Sequence, residues 1–368
     1  MAEPLKNIYT TEFVHQLVRV WQPLLPNLNE VEFSKAVFKT DWDGLELKQR
    51  MSQLAEVTLS ALPSNFDLAA SIICEMTTII AEQSTSGLGF EYMFIPEMIA
   101  KNGLGHWKSS MRAIECVTQF TSCEFAIRPF ILAYEAETMQ QMLKWSEHSH
   151  ANVRRLSSEG CRSRLPWSMA LPNFKKDASL IVPILENLKS DDSLFVQKSV
   201  ANNLNDISKD HPALALQLAK KWKGTSPITN WIVKHGMRTL LKGGNAEALQ
   251  IFNYAETQKL ALSKFQIFTT EVVFGKTLEF QLILENNTNE HLLVRLEYAI
   301  YFMKSNGLQN KKVFKISERG LHAFETIKVK KSHTIKPIST RKYYSGKHAV
   351  ALIVNGVEFE KHDFLLHM

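Results

Sequence analysis

Cysteine is scarce in this chain and stops early. Four occur among 368 residues, at Cys74, Cys116, Cys123 and Cys161, and none follows. No two form a CxxC pair, so a zinc site is not indicated. Free thiols in a reducing compartment are expected. Long apolar runs are also missing. None approaches the ~18 residues of a membrane span, and the N-terminal MAEPLKNIYT has no signal-peptide pattern. A soluble, cytoplasmic protein without membrane contact is therefore predicted. The chain has no phosphate-cradling glycine-rich loop, no HExxH and no Gly-x-Ser-x-Gly. Those absences exclude the familiar nucleotidase, metalloprotease and hydrolase signatures. With 45% hydrophobic and 22% charged residues the composition is that of a globular protein, which excludes disorder, collagen and coiled coil.

Charge is unevenly distributed. The formal net charge is +6. Residues 1–149 hold 11 basic and 18 acidic side chains, residues 150–245 hold 15 and 7, and residues 262–368 hold 16 and 10. An acidic first part thus precedes two basic parts. Nucleic acid is the commonest partner of such basic surface, although plain surface asymmetry accounts for it equally well.

The hydrophobic period changes once. Up to about residue 255 it is helical. GLELKQRMSQLAEVTLSAL (44–62) places Leu47, Met51, Leu54, Val57, Leu59 and Leu62 mostly three or four apart. AETMQQMLKWSEH (136–148) and SLFVQKSVANNLNDI (193–207) behave alike, the latter opening at Asp191, Asp192 and Ser193. Leu62-Pro63, Asn102-Gly103, Leu171-Pro172 and Gly243-Gly244-Asn245 break the pattern. Val153-Arg154-Arg155, Val196-Gln197-Lys198 and Val233-Lys234-His235 recur 43 and 37 residues apart. That is the period of HEAT-type repeats, which stack into a solenoid with a concave face. Arg155, Lys198 and His235 each follow a repeat valine by two, and would form a basic stripe on that face.

From about residue 262 the period is two. Runs at 265–274, 277–286, 291–303, 310–316, 324–335, 348–356 and 357–368 are rich in β-branched and aromatic residues. Asn286-Asn287, Asn306-Gly307, Arg319-Gly320, Ser345-Gly346 and Asn355-Gly356 lie between or beside them as turn signals. About seven strands in this length match an immunoglobulin-like sandwich. The predicted fold is an all-α HEAT-like repeat solenoid over 1–257 followed by an all-β sandwich over 262–368.

Three constellations could carry chemistry. ANVRRLSSEGCRSRLPW (151–167) sets Arg154, Arg155, Arg162 and Arg164 around one acid, Glu159, and ends in Trp167. A structural ion-pair cluster is the plain reading. Four guanidiniums for one carboxylate is a surplus, however, and surplus guanidiniums suit phosphate. Ser122–Phe130 sets Glu124 among apolar residues at an expected helix start, where the helix dipole also explains a carboxylate. In SVANNLNDISKDHP (199–212), Asn202, Asn203, Asn205 and Asp206 are poor helix-interior residues, so a polar surface kept for a ligand is expected unless the helix end frays. Trp107, Trp145, Trp167, Trp222 and Trp231 could stack on bases, but a tryptophan in a helical array more often belongs to the core.

ANVRRLSSEGCRSRLPW, CEFAIRPF, SVANNLNDISKDHP and NWIVKHGMRTLLKGG together resemble the AlkC branch of bacterial DNA-alkylation-repair glycosylases, related to the AlkD branch through a HEAT-like fold. The motifs span 123–244, and the helical layout extends the likeness over about 1–255. The final domain resembles the immunoglobulin-like domain of one AlkC subgroup. The resemblance implies a monofunctional DNA glycosylase that excises cationic N-alkylated bases: 3-methyladenine, 3-methylcytosine and, as a further candidate, 1-methyladenine. It implies Glu124, Glu159 and Asp206 as the catalytic carboxylates, of which one or two act directly, and Trp167 packed against the lesion nucleotide. Arg154, Arg155, Arg162, Arg164, Lys198, Lys234, His235 and Arg238 would hold phosphates of double-stranded DNA. No metal, cofactor or lysine nucleophile is implied, and a monomer is expected. One departure is Ser163, where the family string tends to carry proline; it alters loop stiffness and leaves the chemistry intact. The basic sandwich, with Lys311-Lys312, Lys328-Lys330-Lys331 and Arg341-Lys342, is expected to close on DNA. A non-catalytic HEAT-repeat scaffold for nucleic acid or protein is the competing reading.

Overall fold

A computed structural model describes residues 3–39, 41–83, 89–338 and 341–368. Sixteen α-helices are found among the described residues, the last being Ala246–Ile251, and eight strands follow. No helix among the described residues is long and apolar enough to cross a membrane. Two compact units are present. One comprises Met1–His211 with Trp222–Gly236, the other Pro212–Lys221 with Met237–Met368.

In the first unit the three predicted helices are present as Leu47–Ser60, Glu135–Trp145 and Leu194–Asp210. The first opens on a capping box: Glu46 takes the N3 amide while Gln49 Oε1 accepts from the Glu46 amide at 2.8 Å. The three repeat valines lie in the helices Ala151–Glu159, Leu194–Asp210 and Pro227–Gly236, and all are fully buried. Leu194–Asp210 packs against both of the others. The weak sequence period therefore marks one layer of stacked helices.

In the second unit the strands are β1 Leu260–Ile267, β2 Glu271–Val273, β3 Thr277–Asn286, β4 Leu292–Met303, β5 Gln309–Leu321, β6 Thr326–Thr334, β7 Gly346–Val354 and β8 Val357–His367. They form a three-stranded sheet, β1-β3-β6, and a five-stranded sheet, β2-β8-β7-β4-β5. Phe280 of β3 packs with Tyr298, Ile300 and Phe302 of β4 and with Phe364 of β8, so inward residues of both sheets share one core. Two expectations need correction. The run 265–274 is two strands, because the chain bends at Phe268–Thr270 and changes sheets: β1 pairs antiparallel with β3, β2 parallel with β8. Arg319-Gly320 is no turn. Gly320 lies within β5 opposite Leu293, where a side chain would meet the His291 ring. Asn355-Gly356 is a hairpin turn with both φ positive, at 44° and 78°. The turn at Gly244 packs on it. A Cβ on Gly244 would come within 2.6 Å of the Gly356 carbonyl oxygen, so two glycines are needed for the backbones to touch.

The sandwich carries a titration of its own. His333 lies against Tyr298 and Phe314, and its Nδ1 is 2.7 Å from the Tyr298 hydroxyl. Burial, helped by the Arg341 and Lys331 charges, pushes its pKa down to about 4. Between pH 6.5 and about 4 the unfolded chain binds this proton and the folded chain does not, so stability falls as pH falls through that window. Thermal melts at pH 7.5, 6 and 5 should show the midpoint dropping. The slope should shrink in His333→Asn; an unchanged slope excludes His333 as its source.

Candidate active site

The Ala151–Glu159 helix starts at His150, whose ring accepts from the Asn152 amide at 3.2 Å, and runs into Gly160. A Cβ at Gly160 would sit 2.6 Å from Ile127 Cγ2 and 3.0 Å from Met142 Cε, so glycine lets this helix end close on its neighbours. The arginine-rich segment leaves from there.

The expected surplus of guanidinium disappears in three dimensions. Arg154 makes a two-pronged bond to Asp191, at 2.6 and 3.1 Å. Arg164 does the same with Asp210, at 3.0 and 2.5 Å. Arg162 Nε donates to Asp206 at 2.9 Å while its Nη1 donates to Glu159 at 2.6 Å. Arg155 Nη1 lies 2.5 Å from Glu124, and its Nη2 is 3.7 Å from Glu159. The aspartates stand 37, 46 and 44 residues beyond their arginines, about one repeat. Each repeat thus supplies the counter-ions of the one before. Arg155 is held inside this network, so a stripe of free cations through Arg155, Lys198 and His235 is not present. Lys198 is exposed, and the His235 ring stacks on Trp231 at 5.2 Å.

The pairs join into a chain of alternating charge: Glu124, Arg155, Glu159, Arg162, Asp206, Lys209. Lys209 Nζ closes it with a 2.8 Å bond to Asp206. Burial disfavours the Arg162 charge, but Glu159 and Asp206 outweigh it and hold its pKa above the ordinary arginine value. Glu124 and Glu159 line a cavity of ≈ 400 Å³ with Arg155, Phe195 and Trp167. Arg155 also lies over the Phe195 ring at 4.5 Å. Asp206 is not on this wall; it is 1% exposed and stands one guanidinium behind. Its neighbours Asn203 and Asn205 are buried too. The expected polar surface over 202–206 is therefore largely internal, with Asn203 donating to the Ser158 carbonyl at 2.8 Å across the repeat boundary. Glu124 is not a helix cap: it lies two residues before the N-cap Ala126 of the Ile127–Ala133 helix and is turned toward Arg155. Trp145 and Trp222 are core residues, and Trp107 donates to Thr138 at 3.1 Å. No cluster of side chains suited to a metal ion occurs among the described residues.

The helical match and the sandwich match are separate findings. The model of the DNA alkylation repair enzyme family matches residues 110–240, and that of the C-terminal Ig-like domain of the uncharacterised protein YhaZ matches 261–368. The uncharacterized protein YhaZ of Bacillus subtilis strain 168 is 39% identical over 360 residues, covering 98% of each chain. The structure of Pseudomonas fluorescens alkylpurine DNA glycosylase AlkC, bound to DNA containing an abasic site analog, superposes with a TM-score of 0.93 at 32% identity, covering 100% of each chain. This chain belongs to the AlkC family of DNA alkylation repair enzymes.

Two features of this AlkC-family site go beyond the carboxylates. Arg128, within CEFAIRPF, is fully buried and donates to three carbonyls of the arginine-rich segment: Gly160 at 2.9 Å, Arg162 at 2.8 Å and Met169 at 2.7 Å. Burial lowers its pKa to about 10, which leaves it charged at neutral pH. Sequence reasoning passed over it; the available signal was a charged residue enclosed by Ala126, Ile127, Pro129 and Phe130. The second feature is the conformation of Trp167. Its φ is +63° and the residue is 63% exposed at the cavity edge. A bulky residue in the left-handed region costs roughly 1–3 kcal/mol and persists at functional sites. Trp167→Gly should therefore melt no lower than the wild type while lesion processing falls about tenfold or more, the worth of one stacked base. Undiminished processing in that variant would remove Trp167 from the site.

Proposed function

We propose that the protein is a monofunctional DNA glycosylase that hydrolyses the N-glycosidic bond of cationic N-alkylated nucleotides, 3-methyladenine and 3-methylcytosine first and 1-methyladenine as a further substrate, leaving an abasic site. The observation that carries this reading is the placement of Glu124 and Glu159 on one cavity wall beside Trp167, in a chain whose whole length superposes on an alkylpurine DNA glycosylase.

The chemistry asks little of a general acid. A base that already bears positive charge leaves as a neutral molecule when the bond to C1′ breaks. The barrier is the charge that develops on the sugar. A carboxylate facing C1′ stabilises that oxocarbenium charge, orients the attacking water and accepts its proton. Glu124 and Glu159 take these roles. Asp206 acts through Arg162, and Trp167 packs on the lesion nucleotide. Arg155 and Arg162 hold the carboxylates in place. Arg154, Arg164, Lys198, Lys234, His235 and Arg238 contact phosphates. We take 1–257 as the glycosylase domain of a cytosolic monomer and 262–368 as a second DNA-binding domain.

The test is chromatographic detection of free 3-methyladenine released from methylated duplex DNA by the purified protein. Release supports the reading; its absence, with DNA still bound, leaves a scaffold. The sandwich is tested separately. Lys328 and Lys330 are exposed on β6 of the three-stranded sheet. Converting both to Gln should weaken binding to undamaged duplex and flatten its log–log salt slope by roughly 2. An unchanged slope takes that face out of DNA binding.

A further inference from the structure

We propose that Lys48, which lies outside the four motif strings and outside the residues 110–240 matched by the repair-enzyme family, is a positioning residue for Trp167. The inference rests on the glycosylase reading and adds a residue to it.

Trp167 is poorly held by its own loop. The flanking backbone bonds, Ser168 N to Leu165 O and Leu171 N to Ser163 O, are both long at 3.4 Å. Arg128 ties the segment at Arg162 and at Met169, leaving the stretch between to other anchors. The carbonyl of Trp167 itself accepts from Lys48 Nζ, a contact made across 119 residues of sequence. The same ammonium lies 4.5 Å over the Phe125 ring. Phe125 is the next residue after Glu124, and both line the cavity. One cation therefore joins the tryptophan edge of the cavity to the wall that carries a carboxylate.

The base of Lys48 is itself fixed. It occupies the first turn of Leu47–Ser60, inside the Glu46–Gln49 capping box. Arg50, two residues further on, donates to the Lys6 carbonyl at 2.9 Å and lies 4.9 Å over Trp42. A lysine on a rigid helix start that bonds a carbonyl at a left-handed residue stabilises that backbone conformation in the absence of DNA. Pre-set geometry of this kind acts on the rate of the chemical step, because misplacement by about 1 Å costs up to about a hundredfold.

The experiment uses the full chain with Lys48→Met and Lys48→Arg. Single-turnover release of 3-methyladenine should fall roughly tenfold to a hundredfold in Lys48→Met, with half-saturating DNA concentration and Tm unchanged, and should recover substantially in Lys48→Arg, which keeps a cationic donor. Equal losses in rate and DNA affinity would make Lys48 a phosphate contact and overturn the proposal, as would a wild-type rate. A second readout needs no activity. The acrylamide quenching assigned to Trp167, by difference from Trp167→Phe, should increase in Lys48→Met. No change there overturns the proposal as well. A wild-type protein that releases no base defeats the glycosylase reading alone, since the quenching still reports the link between Lys48 and Trp167.

Discussion

Glu159→Gln should cut the single-turnover release of alkylated base roughly 10²–10³-fold, the usual cost of removing one electrostatic contact to a charge that develops in the transition state. The substitution keeps the shape of the side chain and an oxygen for the 2.6 Å bond from Arg162, but removes the negative charge. DNA binding should survive, because loss of a carboxylate does not weaken attraction to phosphate. Glu124→Gln should follow the same pattern. Asp206→Asn should differ. Asp206 is bonded to both Arg162 and Lys209 and is 1% exposed. Neutralising it leaves one buried guanidinium short of a counter-charge, at about 3–5 kcal/mol of stability. It should thus lower Tm as well as rate. Glu159 is buried between Arg155 and Arg162, so Glu159→Gln should also lower Tm, whereas Glu124→Gln should chiefly lower rate. If all three variants keep full activity, the carboxylate assignment is wrong. If Asp206→Asn slows release with Tm intact, Asp206 acts on the sugar directly.

Arg128→Met should be the most destabilising single change in the site. Two buried carbonyls, those of Gly160 and Arg162, and the part-buried carbonyl of Met169 lose their donor together, and Gly160 closes the Ala151–Glu159 helix, where a cation also complements the helix dipole. Each orphaned buried group costs about 1–3 kcal/mol, so a total of ~4 kcal/mol is reasonable. At about 2–4 °C per kcal/mol for a unit of this size, Tm should drop by roughly 10 °C. Arg128→Lys should rescue little, since one ammonium cannot span carbonyls that a planar guanidinium reaches from two edges. Both variants should also lose activity, because the segment they release carries Arg162 and Trp167. A Tm within about 2 °C of wild type would show that Arg128 is not the anchor of that segment.

The site was half legible. Glu124, Glu159 and Trp167 were each legible as candidates, and the fold sets all three on the lining of one cavity. The arginines look like a surplus in the sequence because their partners, Asp191, Asp206 and Asp210, lie a repeat away, beyond the reach of any i,i+4 rule. The asparagines beside Asp206 read as surface because a mid-helix asparagine is unfavourable locally. Burial against the preceding helix reverses that, by giving Asn203 the Ser158 carbonyl. Arg319-Gly320 reads as a turn because glycine usually marks one; here it makes room for the His291 ring, just before the neighbouring strand.

What the sequence determined by itself is whatever depends on a few neighbouring residues: the change of period near residue 260, the repeat valines, the Asn355-Gly356 hairpin and the family string. These follow from local geometry, in which 3.6 or 2 residues per turn set which side chains share a face. Tertiary structure decided which charge meets which. The offset between stacked helices brings an arginine to an acid 37, 44 or 46 residues on, and brings a lysine to a carbonyl 119 residues away. Such offsets are set by packing and by link length rather than by any residue's own preference. That is why the network of three carboxylates and their cations, and the strained tryptophan beside it, became visible only in the folded chain.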